Sequence, residues 1–253
     1  MTTTTIGVSL KMYFGHARAL DWIDAVASLA RSHHAIVDGS VELFVSPSYL
    51  VVPQAVLKLE GTGVLVGAQD LATADSGAFT GEVSGTELAE VGARVVEVGH
   101  AERRSLFGET DAIVAAKTAA ALRNGLAPVL CIGETERTEP AIAAGQCLAQ
   151  LTSAIEGADP GRLVVAYEPV WAIGAAHPAD PAYIRAVCAD LRAAVALLPG
   201  RAGSVVIYGG SAGPGLLASL GDDVDGLFLG RFAHDPAALR VVVDEAAARG
   251  SAA

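Results

Sequence analysis

The run VVAYEPVWAIGA at 164–175 is apolar up to Glu168 and turns through Pro169 and Trp171 directly after it. A carboxylate ending so hydrophobic a segment, with Val165, Pro169 and Ile173 expected to wall it, is partly withdrawn from water, a setting suited to taking and returning a proton. Two more polar residues close comparable runs: His100 ends ARVVEVGH, and Lys11 follows TIGVSL. An imidazole can polarise a carbonyl or carry a proton between neighbouring oxygens, and an ammonium steadies a developing enediolate or a phosphate. The chemistry open to this trio is proton abstraction next to a carbonyl. Gly-rich stretches at Tyr208–Ser211, followed by AGPG, and at Leu229–Gly230 offer backbone N–H groups of the kind that hold phosphate. Taken singly, Lys11 reads as a solvated charge, His100 as a structural histidine beside a charged AERR stretch, and the glycines as tight turns.

What decides between these readings is whether one fold brings the residues together. Eight short β-branched runs recur along the chain: TIGVSL, VELFVS, GVLVGAQ, ARVVEVG, APVLCIG, LVVAYE, SVVIYG and DGLFLG. They are apolar on both faces, as buried parallel strands are. Helix-period stretches lie between them, for instance 141–155, 182–198 and 237–248. Strand alternating with helix, in units of roughly 30 residues and with no linker or composition break, predicts one α/β domain over 1–253. Its expected form is a single closed (β/α)₈ barrel of eight parallel strands. Such a barrel places its chemistry on the loops after the strands, so Lys11, His100, Glu168, Ser211 and Gly230 are all expected at one mouth. No GxGxxG follows the first strand and no GxxxxGK[ST] is present, which counts against the dinucleotide and nucleoside-triphosphate readings.

Composition narrows the partners. A net charge of −11 opposes nucleic acid or an anionic membrane as partner. Cys131, Cys147 and Cys188 are odd in number, far apart and set in apolar stretches, which predicts reduced thiols and neither a disulfide framework nor a zinc site. The histidines show no metal-ligand spacing with carboxylates. The first residues, MTTTTIGVSL, lack the pattern of a secretory signal, and no stretch is long and apolar enough to span a membrane, so a cytoplasmic protein is expected.

Five motifs, AYEPVWAIG at 166–174, GAFTGE at 77–82, GHAERR at 99–104, CIGE at 131–134 and YGGS at 208–211, resemble the triosephosphate isomerase family in order and spacing. The resemblance spans essentially the whole chain. It implies a (β/α)₈ barrel that interconverts an aldose phosphate and its ketose through an enediol, with no metal or organic cofactor, usually as a homodimer. By motif position Glu168 resembles the base, His100 the electrophile and Lys11 the electrostatic residue. Residues 169–175 resemble a lid entered at Pro169. Gly174, Ser211 and Gly230 resemble phosphate-cradling positions, and Thr80 lies in a loop that in the family inserts into the neighbouring subunit.

The chain departs from the family around substrate and lid. The first-strand signature Asn-Trp-Lys is here Ser9-Leu10-Lys11, so a hydroxyl stands where a substrate-contacting amide is usual. Ala101 replaces a serine, Ala175-Ala176-His177 replace Thr-Gly-Lys, and Arg231 follows Gly230 in place of a second glycine. Ser9 and Arg231 thereby join the candidate substrate-binding residues. Two substrates are consistent with this pattern: the triose phosphates (glyceraldehyde 3-phosphate and dihydroxyacetone phosphate), and L-erythrulose 1-phosphate isomerised to D-erythrulose 4-phosphate. A non-catalytic homologue that binds a phosphorylated metabolite is the third reading.

Overall fold

The structure, a computed structural model, describes residues 3–250. Eight strands, β1 (Thr4–Ser9), β2 (Val41–Ser46), β3 (Leu65–Ala68), β4 (Val95–Val98), β5 (Ala127–Ile132), β6 (Val164–Tyr167), β7 (Val205–Tyr208) and β8 (Gly226–Leu229), form a closed barrel in sequence order. Every neighbouring pair is parallel, and closure is made by β1 pairing with β8 from Thr5↔Gly226 to Val8↔Leu229. All eight predicted strands are present.

Helices cover the outside. The main ones are α1 (His16–Ser32), α3 (Val52–Leu59), α6 (Asp111–Arg123), α7 (Pro140–Ile155), α8 (Pro181–Ala196) and α10 (Pro236–Gly250). Shorter helices are α2 (His34–Val37), α4 (Gly85–Glu90), α5 (Ala101–Phe107) and α9 (Leu216–Leu220). Helices α7, α8 and α10 each begin one residue before the expected start, on a proline, because a missing N–H costs nothing in the first turn. The Asp180 side chain accepts the amides of Ala182 and Tyr183 and fixes the start of α8. That helix stops at Ala196, short of the expected Leu198, since the residue before Pro199 is driven out of helical geometry.

Alternation along each strand splits the core in two. Phe44, Val95, Val129, Cys131, Val164, Ala166, Ile207 and Phe228 fill the barrel interior, while Leu43, Val96, Leu130, Val165 and Tyr167 pack outward beneath the helices. The Phe44 and Phe228 rings, 5.8 Å apart, plug the interior. At the other end Arg162 clasps Glu42 with two bonds of 2.7 and 2.5 Å. All three cysteines are free and buried, and burial pushes the Cys147 thiol up to about 12.

Candidate active site

At the C-terminal ends of the strands one cavity of about 600 Å³ is lined by Ser9, Lys11, His100, Glu168, Gly174, Ser211, Gly230 and Arg231. Every site residue expected from the sequence is therefore in one place. His177 is exposed and outside that lining, as is Thr80 on its own loop.

Each polar side chain is positioned by a local device. His100 caps α5: its Nδ1 accepts the Glu102 amide at 3.1 Å, which leaves the ring proton on Nε2, facing Glu168 Oε2 at 3.6 Å. Lys11 adopts a left-handed backbone, φ 47°, and its Nζ donates to Glu102 Oε1 at 2.6 Å. Burial works against the Lys11 charge, but Glu102, with smaller help from Glu168 and Glu97, outweighs it and holds the ammonium above its ordinary range. For Glu102 burial likewise opposes the charge, and Lys11 more than offsets it, so its carboxyl titrates low.

Glu168 is 6% exposed and its Oε2 has no hydrogen-bond partner. Its expected wall of Val165, Pro169 and Ile173 needs correction, because Val165 packs outward under the helices, one residue out of phase with the mouth. Glycines let the chain close around the carboxylate instead: a Cβ on Gly209 would stand 2.6 Å from Glu168 Cγ and Oε1, and one on Gly133 would stand 2.1 Å from the Glu168 carbonyl oxygen. These glycines answer to close approach and not to turn geometry.

The segment after Glu168 is tied down at both ends. Trp171 Nε1, Tyr167 Oη and Tyr183 Oη converge on Glu134 Oε1 at 2.8, 3.2 and 2.9 Å. Ser211 Oγ lies 2.9 Å from the Ala172 carbonyl and 3.1 Å from that of Ala175, and Tyr208 Oη accepts the Ala179 amide at 3.2 Å. Ile173, Gly174, Ala175 and Ala176 thereby roof the cavity. Glu102 and Glu134 were not among the expected site residues, although both stand inside the quoted motifs GHAERR and CIGE.

Glu97 was also missed. It is 3% exposed, it faces the barrel interior under Lys11, and burial pushes its pKa from 4.5 to about 8, with the nearby Glu168 charge adding to the rise and Ser9, Lys11 and Ser46 opposing it. The signal in the sequence is a lone acid inside the apolar run ARVVEVG. An acid whose folded pKa is raised favours the native state most below its unfolded value and loses that contribution as pH rises through the folded one. Stability should therefore decline between about pH 4.5 and 8, by at most about 1.4 kcal/mol per pH unit, and the isosteric Glu97→Gln should flatten that slope. Urea titrations at several pH values across this window check it, and equal slopes in both proteins would refute it.

A buried carboxylate, an imidazole with its proton on Nε2 and an ammonium at the mouth of a closed barrel are suited to proton transfer between neighbouring carbons of a hydroxycarbonyl compound. Comparison with known proteins agrees. The family model for triosephosphate isomerase matches residues 4–246. The chain is 54% identical, over 96% of its length and 95% of the relative's, to L-erythrulose-1-phosphate isomerase of Pectobacterium atrosepticum. It is 44% identical, over 82% of its length and 84% of the relative's, to triosephosphate isomerase of Symbiobacterium thermophilum. The crystal structure of triosephosphate isomerase from Bartonella henselae superimposes with a TM-score of 0.81 at 29% identity, covering 95% of this chain and 98% of that one. The chain belongs to the triosephosphate isomerase family, and it is a sugar-phosphate isomerase. Among the described residues no helix is long and apolar enough to cross a membrane, and no cluster of three or more His, Cys, Asp or Glu could hold a metal ion.

Proposed function

We propose that this isomerase converts L-erythrulose 1-phosphate to D-erythrulose 4-phosphate. The observation that carries the reading is the 54% identity across nearly the whole chain to a protein of that name, against 44% over a shorter span for a triosephosphate isomerase. In the reaction Glu168 takes the proton from C3 and the electron pair closes a C2–C3 enediolate, with negative charge on O2 facing Lys11. His100 gives its Nε2 proton to O2 and recovers one from the O3 hydroxyl, and Glu168 returns its proton to C2, leaving the carbonyl at C3. A Glu base with a neutral His is a pairing for which triosephosphate isomerase is itself the type case. Gly174, Ser211, Gly230 and Arg231 hold the phosphate, and residues 169–175 act as a lid that keeps water from the enediolate. The ties of that segment to Glu134 and Ser211 support the lid role.

We further propose that the protein works as a homodimer. Met12, Tyr13 and Phe79 expose large apolar side chains beside Lys11 and on the loop that carries Thr80, which supports that pairing, and sedimentation equilibrium tests it.

The deciding measurement is kcat/KM for L-erythrulose 1-phosphate and for glyceraldehyde 3-phosphate in one preparation. The tetrulose is expected to exceed the triose by at least about tenfold, a difference of about 1.4 kcal/mol in transition-state binding. A triose value near the diffusional range of about 10⁸ M⁻¹s⁻¹, with the tetrulose below it, would identify a triosephosphate isomerase instead. Absence of deuterium wash-in from either substrate would leave only a binding protein.

A further inference from the structure

Three buried polar atoms under the site have no hydrogen-bond partner: Ser9 Oγ, Ser46 Oγ and Glu97 Oε1. Their residues are 2%, 0% and 3% exposed, so bulk water does not satisfy them, and leaving such groups unpaired is unfavourable. They form one cluster. Ser9 and Ser46 are register partners at the ends of β1 and β2, and both stand near enough to Glu97 to favour its ionised form without closing a bond to Oε1. Gly67 lets the chain pack directly against this cluster, since a Cβ there would lie 2.9 Å from Ser46 Oγ and 2.5 Å from Val95 Cγ2. Ser9 also lines the main cavity, so the cluster borders the substrate space through that residue.

Substrate chemistry supplies a matching group. In both candidate substrates the phosphate-bearing carbon is attached to one of the two reacting carbons. The four-carbon substrate differs from the triose only at the other reacting carbon, which carries a hydroxymethyl group in place of a hydrogen. With the phosphate held at Gly174, Ser211 and Gly230, that hydroxymethyl must lie on the far side of the His100–Glu168 pair. A terminal hydroxyl is both donor and acceptor, and so meets two serine hydroxyls and a carboxyl group equally well.

We infer that Ser9, Ser46 and Glu97 form the subsite that receives the terminal hydroxymethyl group of the four-carbon substrate and so set its preference over the triose. This rests on the substrate reading above. Ser9 contributes by what it lacks as well as by its hydroxyl, because a longer side chain at this position would occupy the space the extra carbon needs.

The test is a cycle between substrate and enzyme, using L-erythrulose 1-phosphate and its 4-deoxy analogue, which ends in a methyl group. In the unaltered enzyme loss of the hydroxyl should lower kcat/KM about 10- to 100-fold. In the double variant Ser9→Ala/Ser46→Ala the same change of substrate should cost less than about threefold, since the partners are gone. An equal penalty in both enzymes would overturn the subsite, and would mean that these atoms hold water or that the hydroxymethyl binds elsewhere. Ser9→Asn gives an independent readout: the tetrulose-to-triose ratio of kcat/KM should fall at least about tenfold, and an unchanged ratio also overturns the inference. If the unaltered enzyme does not turn over L-erythrulose 1-phosphate at all, the substrate reading fails and the subsite with it. Failure of the cycle alone removes the subsite and leaves the substrate reading standing.

Discussion

Glu168→Gln is expected to lower kcat by about 10³–10⁴, near the upper end of what a positioned general base supplies, while KM moves only a few-fold. The amide keeps the shape of the side chain but cannot accept a carbon-bound proton. Glu168→Asp separates position from basicity: it keeps a carboxylate but withdraws it by about an ångström, a misplacement that costs on the order of 10²-fold. The surroundings support so strict a demand on position. His100 Nε2 stands 3.6 Å from Oε2, and the bare Cα atoms of Gly133 and Gly209 let the chain press against the backbone and side chain of Glu168. Gly209→Ala should therefore mimic Glu168→Asp, because the new methyl would displace Cγ and Oε1. The check is turnover in D₂O, following deuterium at the carbon next to the carbonyl. A Glu168→Gln protein within tenfold of the original kcat would show that another group removes the proton.

The parts of the site that could be read from sequence share one property: they are polar residues at the ends of apolar runs. Lys11, His100 and Glu168 needed only the strand count and the rule that chemistry gathers at one end of a barrel. What failed concerned which way side chains point. Parallel strands are apolar on both faces, so alternation alone does not say which residues face the barrel interior. Val165 was thus placed against Glu168 although it packs under the helices, and Glu97 passed unnoticed although it lies beneath the site. Glu102 and Glu134 escaped for a different reason. Their task is to orient other groups, and the partners, Lys11 for one and Trp171 for the other, lie 91 and 37 residues away.

The same blindness to distant pairing hid the cluster that anchors α5, the helix whose first turn fixes the His100 tautomer. Lys117 Nζ contacts Asp70 Oδ1 and Glu109 Oε1, each at 2.5 Å, and Arg103 bridges the same two carboxylates. The three side chains bridged by Lys117 Nζ, its own included, are no more than 7% exposed. Lys117→Met should destabilise the fold by about 3–5 kcal/mol at pH 7.5, because it strands two buried carboxylates with one guanidinium between them, and should lower Tm by roughly 6–20 °C. The pH dependence follows from Asp70. Burial already raises its pKa, and Lys117 is the main influence pulling it back, so removing Lys117 raises it further. A carboxyl group with a raised pKa is least unfavourable when protonated, so the deficit should be largest at alkaline pH and shrink toward pH 4. Glu109 adds in the same sense: burial opposes its charge, Lys117 and Arg103 hold its pKa low, and that stabilisation is present above its ordinary range and lost in acid in the original protein too. Melting curves for both proteins from pH 4 to 8 measure the difference. A constant deficit across that range, or one under about 1 kcal/mol, would mean that water reaches the cluster and that α5 is anchored by packing alone.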